Sequence, residues 1–172
     1  MGKRSGVNKD KLRSLLLEYL KDSNRTDRQM AKILGVSQPT VSRMRNRLLK
    51  EGLVRHFSAI PDFAKMGYEI MAFSFVKFNM GQVMEIEEKT EEWVQSHPEI
   101  IFSSRAEGMG MDAITVSLHK NYAEYMNFLL EHKNKWRKFM AEAHYILVDL
   151  GGAVAKPLSF KYLAEKRKNR GN

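Results

Sequence analysis

The residues best equipped for chemistry lie in one short run, Gln38-Pro-Thr-Val-Ser-Arg-Met-Arg-Asn-Arg-Leu-Leu-Lys50. Wound as an α-helix at about 100° per residue, the run separates into two faces. Val41, Met44 and Leu48 form an apolar stripe. Ser42, Arg43, Asn46 and Lys50 fall opposite it, with Gln38 and Thr40 toward the N-terminal end and Arg47 on the flank. Arg45 projects nearer the packed side and is the weakest candidate for an outward contact. Arginine and lysine can donate to guanine O6 and N7, and asparagine or glutamine can pair with adenine N6 and N7. A helix face that is merely solvated usually mixes signs so that residues four apart can pair. This run holds four cations (Arg43, Arg45, Arg47, Lys50) and no acid. The chemistry implied is recognition of double-stranded DNA, with candidate contacts Gln38, Thr40, Ser42, Arg43, Asn46, Arg47 and Lys50, and Arg55 just beyond.

Positioning such a helix needs a scaffold, and the preceding residues spell one. Leu12, Leu15, Leu16, Tyr19 and Leu20 recur at helical spacing over 9–22. Thr26-Asp-Arg-Gln29 has the form of a capping box opening a short helix over 27–34. Gly35 suits a turn with positive φ, Ser37 an N-cap, and Pro39 the first turn of the next helix. Ala31 is small where two helices must approach, and Met30, Leu34, Val36, Val41 and Met44 are apolar where the pair must pack. Gly52 closes the third helix. Residues 53–60 then alternate as a strand would, which predicts a wing presenting Arg55 and His56 to the phosphate backbone; His56 reads equally as an exposed strand residue.

Charge is distributed to match. The chain has 172 residues and net charge +9. Residues 1–56 hold 14 Lys/Arg against 5 Asp/Glu, 57–160 hold 10 against 14, and 161–172 hold 5 against 1. A basic head on a mildly acidic middle is the footprint of a polyanion-binding module joined to a different working part. Lys3 and Arg4 add sequence-independent attraction, and Lys161–Arg170 is either a second phosphate contact or a frayed end.

Cysteine is absent, which excludes disulfides, thiolate metal sites and a cysteine nucleophile. Apolar stretches such as Ile70–Val76 fall far short of the ~20 residues a membrane span needs. The Met-Gly-Lys-Arg-Ser start carries no signal-peptide pattern. The expectation is a cytoplasmic protein with no membrane partner.

Downstream the pattern becomes strand (70–78), helix (82–96), strand (100–106), strand (112–119), helix (122–139), strand (143–150). A βαββαβ order implies an antiparallel sheet with both helices on one face, the ferredoxin-like arrangement, and an α+β fold overall. The uncovered sheet face is a candidate dimerisation surface. The expected division is 1–62 as winged helix-turn-helix, 63–155 as a ferredoxin-like effector and oligomerisation domain, and 156–172 as a basic C-terminal tail.

The chain resembles the leucine-responsive and asparagine-operon (Lrp/AsnC) family of regulators. The residues that carry the resemblance are Gly35-Val-Ser-Gln-Pro-Thr-Val-Ser-Arg43, Lys50-Glu-Gly-Leu-Val54, Pro61 to Lys65-Met-Gly67, and His97-Pro-Glu-Ile100, within roughly residues 9–150. The resemblance implies a homodimer or higher oligomer that binds DNA and often senses an amino acid. It places a candidate effector site at Gly108, Met109, Gly110, Met111 and Asp112. That loop is one residue longer than the family's Gly-x-x-Asp turn, the second helix lacks the family's Leu-Pro-Gly ending, and the basic tail is an addition.

No enzyme motif, cofactor or metal site is expected. Gly108-x-Gly110 lies between strands instead of opening a helix, and His56, His97, His119, His132 and His144 lack close ligand spacing. Two rival readings remain. One is a DNA-coating protein of low specificity. The other is a siroheme-decarboxylase-like enzyme of the same two-domain arrangement, for which His97, Arg105, His119 and His144 are the pocket candidates.

Overall fold

The computed structural model describes residues 9–79 and 83–165, the side chains of 83–88 excepted. The N-terminal Lys3 and Arg4, Gln82 at the start of an expected helix, and Lys166, Arg167, Lys168 and Arg170 of the basic tail lie outside the described residues. The chain divides into two compact units: one runs to Ile60 and resumes at Lys156, and the other is Pro61–Ala155.

The first unit contains α1 (Lys9–Lys21), α2 (Asp27–Leu34) and α3 (Gln38–Lys50). Its core is the apolar set read from the sequence: Leu15, Met30, Val41, Met44 and Leu48 are fully enclosed, with Leu12, Tyr19 and Ala31 nearly so. Burying each large aliphatic side chain contributes about 1.5–3 kcal/mol, so this cluster is what holds three short helices that would not persist alone. The caps set the boundaries. Thr26 and Gln29 form the reciprocal capping box, and Gly35 ends α2 at φ 61, a left-handed conformation that glycine adopts without strain.

The expected wing strand over 53–60 does not form. Residues 54–62 adopt no regular element, and every strand among the described residues belongs to the sheet of the second unit. A lone strand has no neighbour to take its backbone groups. The segment is held at its start and middle instead, with Val54 N–H donating to Leu48 C=O at 3.1 Å and the Phe57 ring set edge-on to Tyr19 at 4.9 Å.

The second unit contains β1 (Ile70–Phe78), α4 (Val83–Ser96), β2 (Ile100–Gly108), β3 (Met111–His119), α5 (Tyr122–Trp136) and β4 (Met140–Asp149). The strands form one antiparallel sheet in the order β2-β3-β1-β4, the ferredoxin-like topology that the element order implied. Ala72, Ser74 and Val76 are buried on one face with Ser117 and His119, beneath Trp93, Tyr125, Phe128, Leu129 and Trp136 of the two helices. On the opposite face Phe102 and Ile146 are more than half exposed.

Helix α5 stops at Trp136 where the sequence pattern continued to Phe139. The sheet captures the chain: Asn79 N–H donates to Phe139 C=O at 2.8 Å, its side-chain amide donates to Lys138 C=O at 2.9 Å, and Met140 then pairs with Phe78. The last element among the described residues is a short helix, α6 (Lys161–Ala164), which packs against α1 within the first unit. No helix among the described residues is long and apolar enough to cross a membrane.

Candidate nucleic-acid interface

The buried stripe of α3 fixes which side chains it can offer. With Val41, Met44 and Leu48 turned wholly inward, Gln38, Arg43, Asn46 and Lys50 are exposed, and Thr40, Ser42 and Arg47 are half-buried along the rim. Arg43, Asn46, Arg47 and Lys50 line one shallow polar groove of about 480 Å³, with Glu51 as its acidic wall. Cationic donors and an amide on one helix face match what the major groove presents: guanine acceptors, the adenine donor–acceptor pair, and phosphates on either side.

The N-terminal end of α3 is held by a chain of side chains. Ser37 Oγ lies 2.8 Å from Thr40 Oγ1, and Thr40 Oγ1 accepts from Arg43 Nη2 at 3.3 Å. Ser37 sits at the N-cap as expected, but its hydroxyl makes no side-chain cap bond and reaches Thr40 instead. Arg43 Nε also donates to Pro39 C=O at 3.4 Å. These contacts restrict the guanidinium to one region of the helix surface, so less side-chain freedom remains to be lost if it engages a partner.

Two of the four cations of α3 have acidic partners. Arg45 Nη1 donates to Asp27 Oδ1 of α2 at 2.9 Å, consistent with its position toward the packed side. Arg47 Nε donates to Glu51 Oε1 at 2.6 Å. The acid-free count over 38–50 stopped one residue short of Glu51, whose i,i+4 spacing from Arg47 was the available signal. Asp27 carried no comparable signal, because its partner lies 18 positions away on another helix.

Arg55 and His56 are exposed on the irregular segment beyond α3 and take no part in the groove. Residues 108–112 form the β2–β3 hairpin. Met109 and Gly110 occupy the two turn positions, both with positive φ (52 and 73), between the paired Gly108 and Met111. Met109 is 83% exposed while Met111 is buried, so the two methionines do not share one pocket wall. Asp112 Oδ2 accepts from Phe78 N–H at 2.8 Å, tying the hairpin to the end of β1.

Of the pocket candidates, His97 and His119 both pack against the Phe128 ring, at 6.1 and 5.1 Å between centroids, whereas Arg105 and His144 stand apart on exposed strand positions. His119 is buried on the helix-covered side and bonded to Ser117 Oγ at 2.8 Å. His97 bonds the Trp93 carbonyl and Glu131. Arg105 is exposed on β2. His144 is exposed and paired with Glu142 at 2.8 Å, and its register partner Phe75 alternates away from the buried Ser74 and Val76.

Comparison with known proteins bears on the helix-turn-helix segment and on the fold. Residues 10–56 match the family described as bacterial regulatory protein, arsR family, a match confined to the helix-turn-helix segment. The chain is 29% identical over 121 residues to the HTH-type transcriptional regulator FL11 of Pyrococcus furiosus, covering 70% of this chain and 77% of that protein. It is 37% identical over 84 residues to an uncharacterised HTH-type transcriptional regulator of the same organism, covering 48% and 57%. Among solved structures, an AsnC family transcriptional regulator from Agrobacterium tumefaciens superposes with TM-score 0.72 at 19% identity, covering 89% of this chain and 97% of its own. A transcriptional regulator from Neisseria meningitidis, solved as a complex with L-Met, superposes with TM-score 0.73 at 16% identity, covering 92% and 99%. The recognition-helix geometry, the two-unit architecture and these relatives agree: the chain is a DNA-binding transcriptional regulator of the helix-turn-helix type, built on the Lrp/AsnC fold.

Proposed function

We propose that the chain regulates transcription by sequence-specific DNA binding as a homodimer or larger assembly, in the cytoplasm, without catalysing a reaction. The observation that carries this reading is the groove on α3, where Arg43, Asn46, Arg47 and Lys50 stand together on the side opposite the buried stripe. Gln38, Thr40, Ser42, Arg43, Asn46 and Arg47 read base edges or the flanking phosphates. Lys50 and Arg55 supply attraction that does not depend on sequence. The proposed division of labour is 1–62 for DNA, 63–155 for assembly and effector response, and 156–172 as a basic tail.

A dimer follows from the sheet, because helices cover only one face and the other offers Phe102 and Ile146 to solvent. Two recognition helices related by a two-fold axis would enter major grooves about 34 Å apart on a pseudo-palindromic site. The hairpin Gly108–Asp112 is the proposed effector site, and an amino acid is the proposed ligand class, as in the L-Met complex of the Neisseria regulator.

The test is an anisotropy titration against a randomised duplex pool at two salt concentrations, with sequencing of the bound fraction. Enrichment of a two-fold symmetric motif with half-sites about one helical turn apart is expected. Tight, salt-sensitive binding without enrichment would identify a DNA-coating protein instead. No binding at all would overturn the role given to α3.

A further inference from the structure

Glu51 ends α3 where two forces oppose it. Its N–H donates to Arg47 C=O at 2.9 Å as the helix C-cap, and its Oε1 accepts from Arg47 Nε at 2.6 Å. Backbone and side chain thus both return to the residue one turn earlier. A carboxylate at a helix C-terminus faces the negative end of the dipole, and an acid placed four residues after its base is the less favourable order. Glu51 is also the sole acid between Gln38 and His56. It stands in the wall of the groove formed with Arg43, Asn46, Arg47 and Lys50, where a bound polyanion would meet its charge.

Folding stability does not account for this placement. The two side chains keep 34% and 42% of their surface exposed, and a pair so open to water contributes little. What the carboxylate does to Arg47 accounts for it better. A guanidinium carries five N–H donors in a planar fork, so a bond at Nε fixes its plane without using up the group. The acceptors that DNA offers differ in charge: guanine O6 and N7 are neutral, whereas phosphate oxygens are anionic. A carboxylate 2.6 Å from Nε does little against a neutral acceptor and repels an anionic one. Phosphate contacts carry no sequence information, so opposing them weakens binding to the wrong sequence more than to the right one.

We infer that Glu51 is a specificity-determining residue of the α3 interface that acts through Arg47, holding the guanidinium toward neutral base edges and away from phosphates. This deepens the DNA-binding reading above and rests on it.

The experiment titrates the unaltered chain, Glu51→Gln, Arg47→Ala and the double variant by fluorescence anisotropy over a salt series. Each meets two duplexes of equal length: the motif enriched from the randomised pool, and a scrambled sequence of the same composition. Glutamine keeps the size of Glu51 and an oxygen for Arg47 but drops the charge. Glu51→Gln is expected to tighten binding to the scrambled duplex by about threefold to tenfold and to the motif by less. Its salt slope on the scrambled duplex should steepen by about 0.9, the value of one further phosphate contact. The ratio of the two affinities therefore falls. With Arg47→Ala already in place, Glu51→Gln should leave that ratio unchanged.

Equal tightening on both duplexes overturns the inference, as does a fall in the ratio that persists without Arg47. A lowered melting temperature with an unchanged ratio also overturns it, leaving Glu51 as a helix cap. Failure of the pool to enrich any motif overturns it too, since no preference remains for Glu51 to set, while DNA binding itself stands. Absence of binding by the unaltered chain to any duplex overturns the DNA-binding reading.

Discussion

Asp27, in the first turn of α2, accepts a hydrogen bond from Arg45 Nη1 on α3 at 2.9 Å, joining the two helices of the DNA-binding motif by their side chains. Asp27 is largely covered and Arg45 is partly exposed. The pair adjoins Tyr19, whose hydroxyl is pushed above its ordinary pKa mainly by burial, with Asp27 adding to the rise. Arg45 is thereby committed to the angle between the helices, leaving the outer face of α3 to its neighbours.

A double-mutant cycle between Asp27→Ala and Arg45→Ala, measured by urea unfolding, should give a coupling of about 0.5–1 kcal/mol, the range for a partly exposed pair. Arg45→Ala should leave the preferred DNA sequence unchanged. A relaxed preference in that variant would place Arg45 on the DNA.

Arg43 and Lys50 should separate base reading from phosphate attraction. Arg43→Ala is expected to cost about 1–3 kcal/mol on the preferred site and to relax preference there. Lys50→Ala should weaken all duplexes alike and flatten the salt slope by about 1. Uniform loss in both, measured by competition with random DNA, would remove Arg43 from base reading.

Acid should loosen the second unit through His132. Burial lowers its pKa from 6.5 to about 4, with His97 and Lys133 pushing in the same direction. His119 is also lowered, again mainly by burial. A folded-state pKa below the unfolded one means that the unfolded chain takes the proton first. Stability is therefore intact above about pH 6.5 and is lost progressively as pH falls toward 4. The loss attributable to His132 is about 2 kcal/mol at pH 5. The urea midpoint of the unaltered chain should fall between pH 7.5 and pH 5, and His132→Leu should remove most of that fall. An undiminished fall in the variant would assign it to other groups.

Met109 occupies a turn position with φ 52, where an L side chain other than Asn or Asp is strained, yet it is 83% exposed. Met109→Asn should stabilise the hairpin by about 0.5–1 kcal/mol, seen as a rise of a few degrees in Tm. A fall in Tm would mean that Met109 makes contacts in the assembled protein that outweigh its strain.

The sequence was most legible where local rules and burial coincide. Thr26, Gln29, Gly35, Val41, Met44 and Leu48 each obey a cap, turn or helical-period rule, and the structure uses each one that way. The βαββαβ order was readable because the strands and helices alternate in period. Residues 53–60 had an alternating pattern but no pairing partner, and alternation alone does not supply one. Phe139 was assigned to a helix because helical periodicity continues past Trp136, whereas Asn79, 59 positions before Lys138, decides where that helix ends. At the interface, the outward face of α3 could be computed from its period. The ties from Arg45 to Asp27 and from Thr40 to Ser37 depend on how three helices meet and on which rotamers they leave.

The antiparallel pairing of β1 with β4 has a modular consequence. Ile70 pairs with Asp149, and Leu150 N–H donates to Glu69 C=O at 2.8 Å, so the chain enters and leaves the sheet at adjacent positions. Because the described residues from Lys156 onward belong to the same unit as α1–α3, the sheet unit is an insertion within a single host unit that carries the helix-turn-helix. Such an arrangement would admit exchange: another small domain with neighbouring termini could be grafted between the same two points without rebuilding the three-helix host.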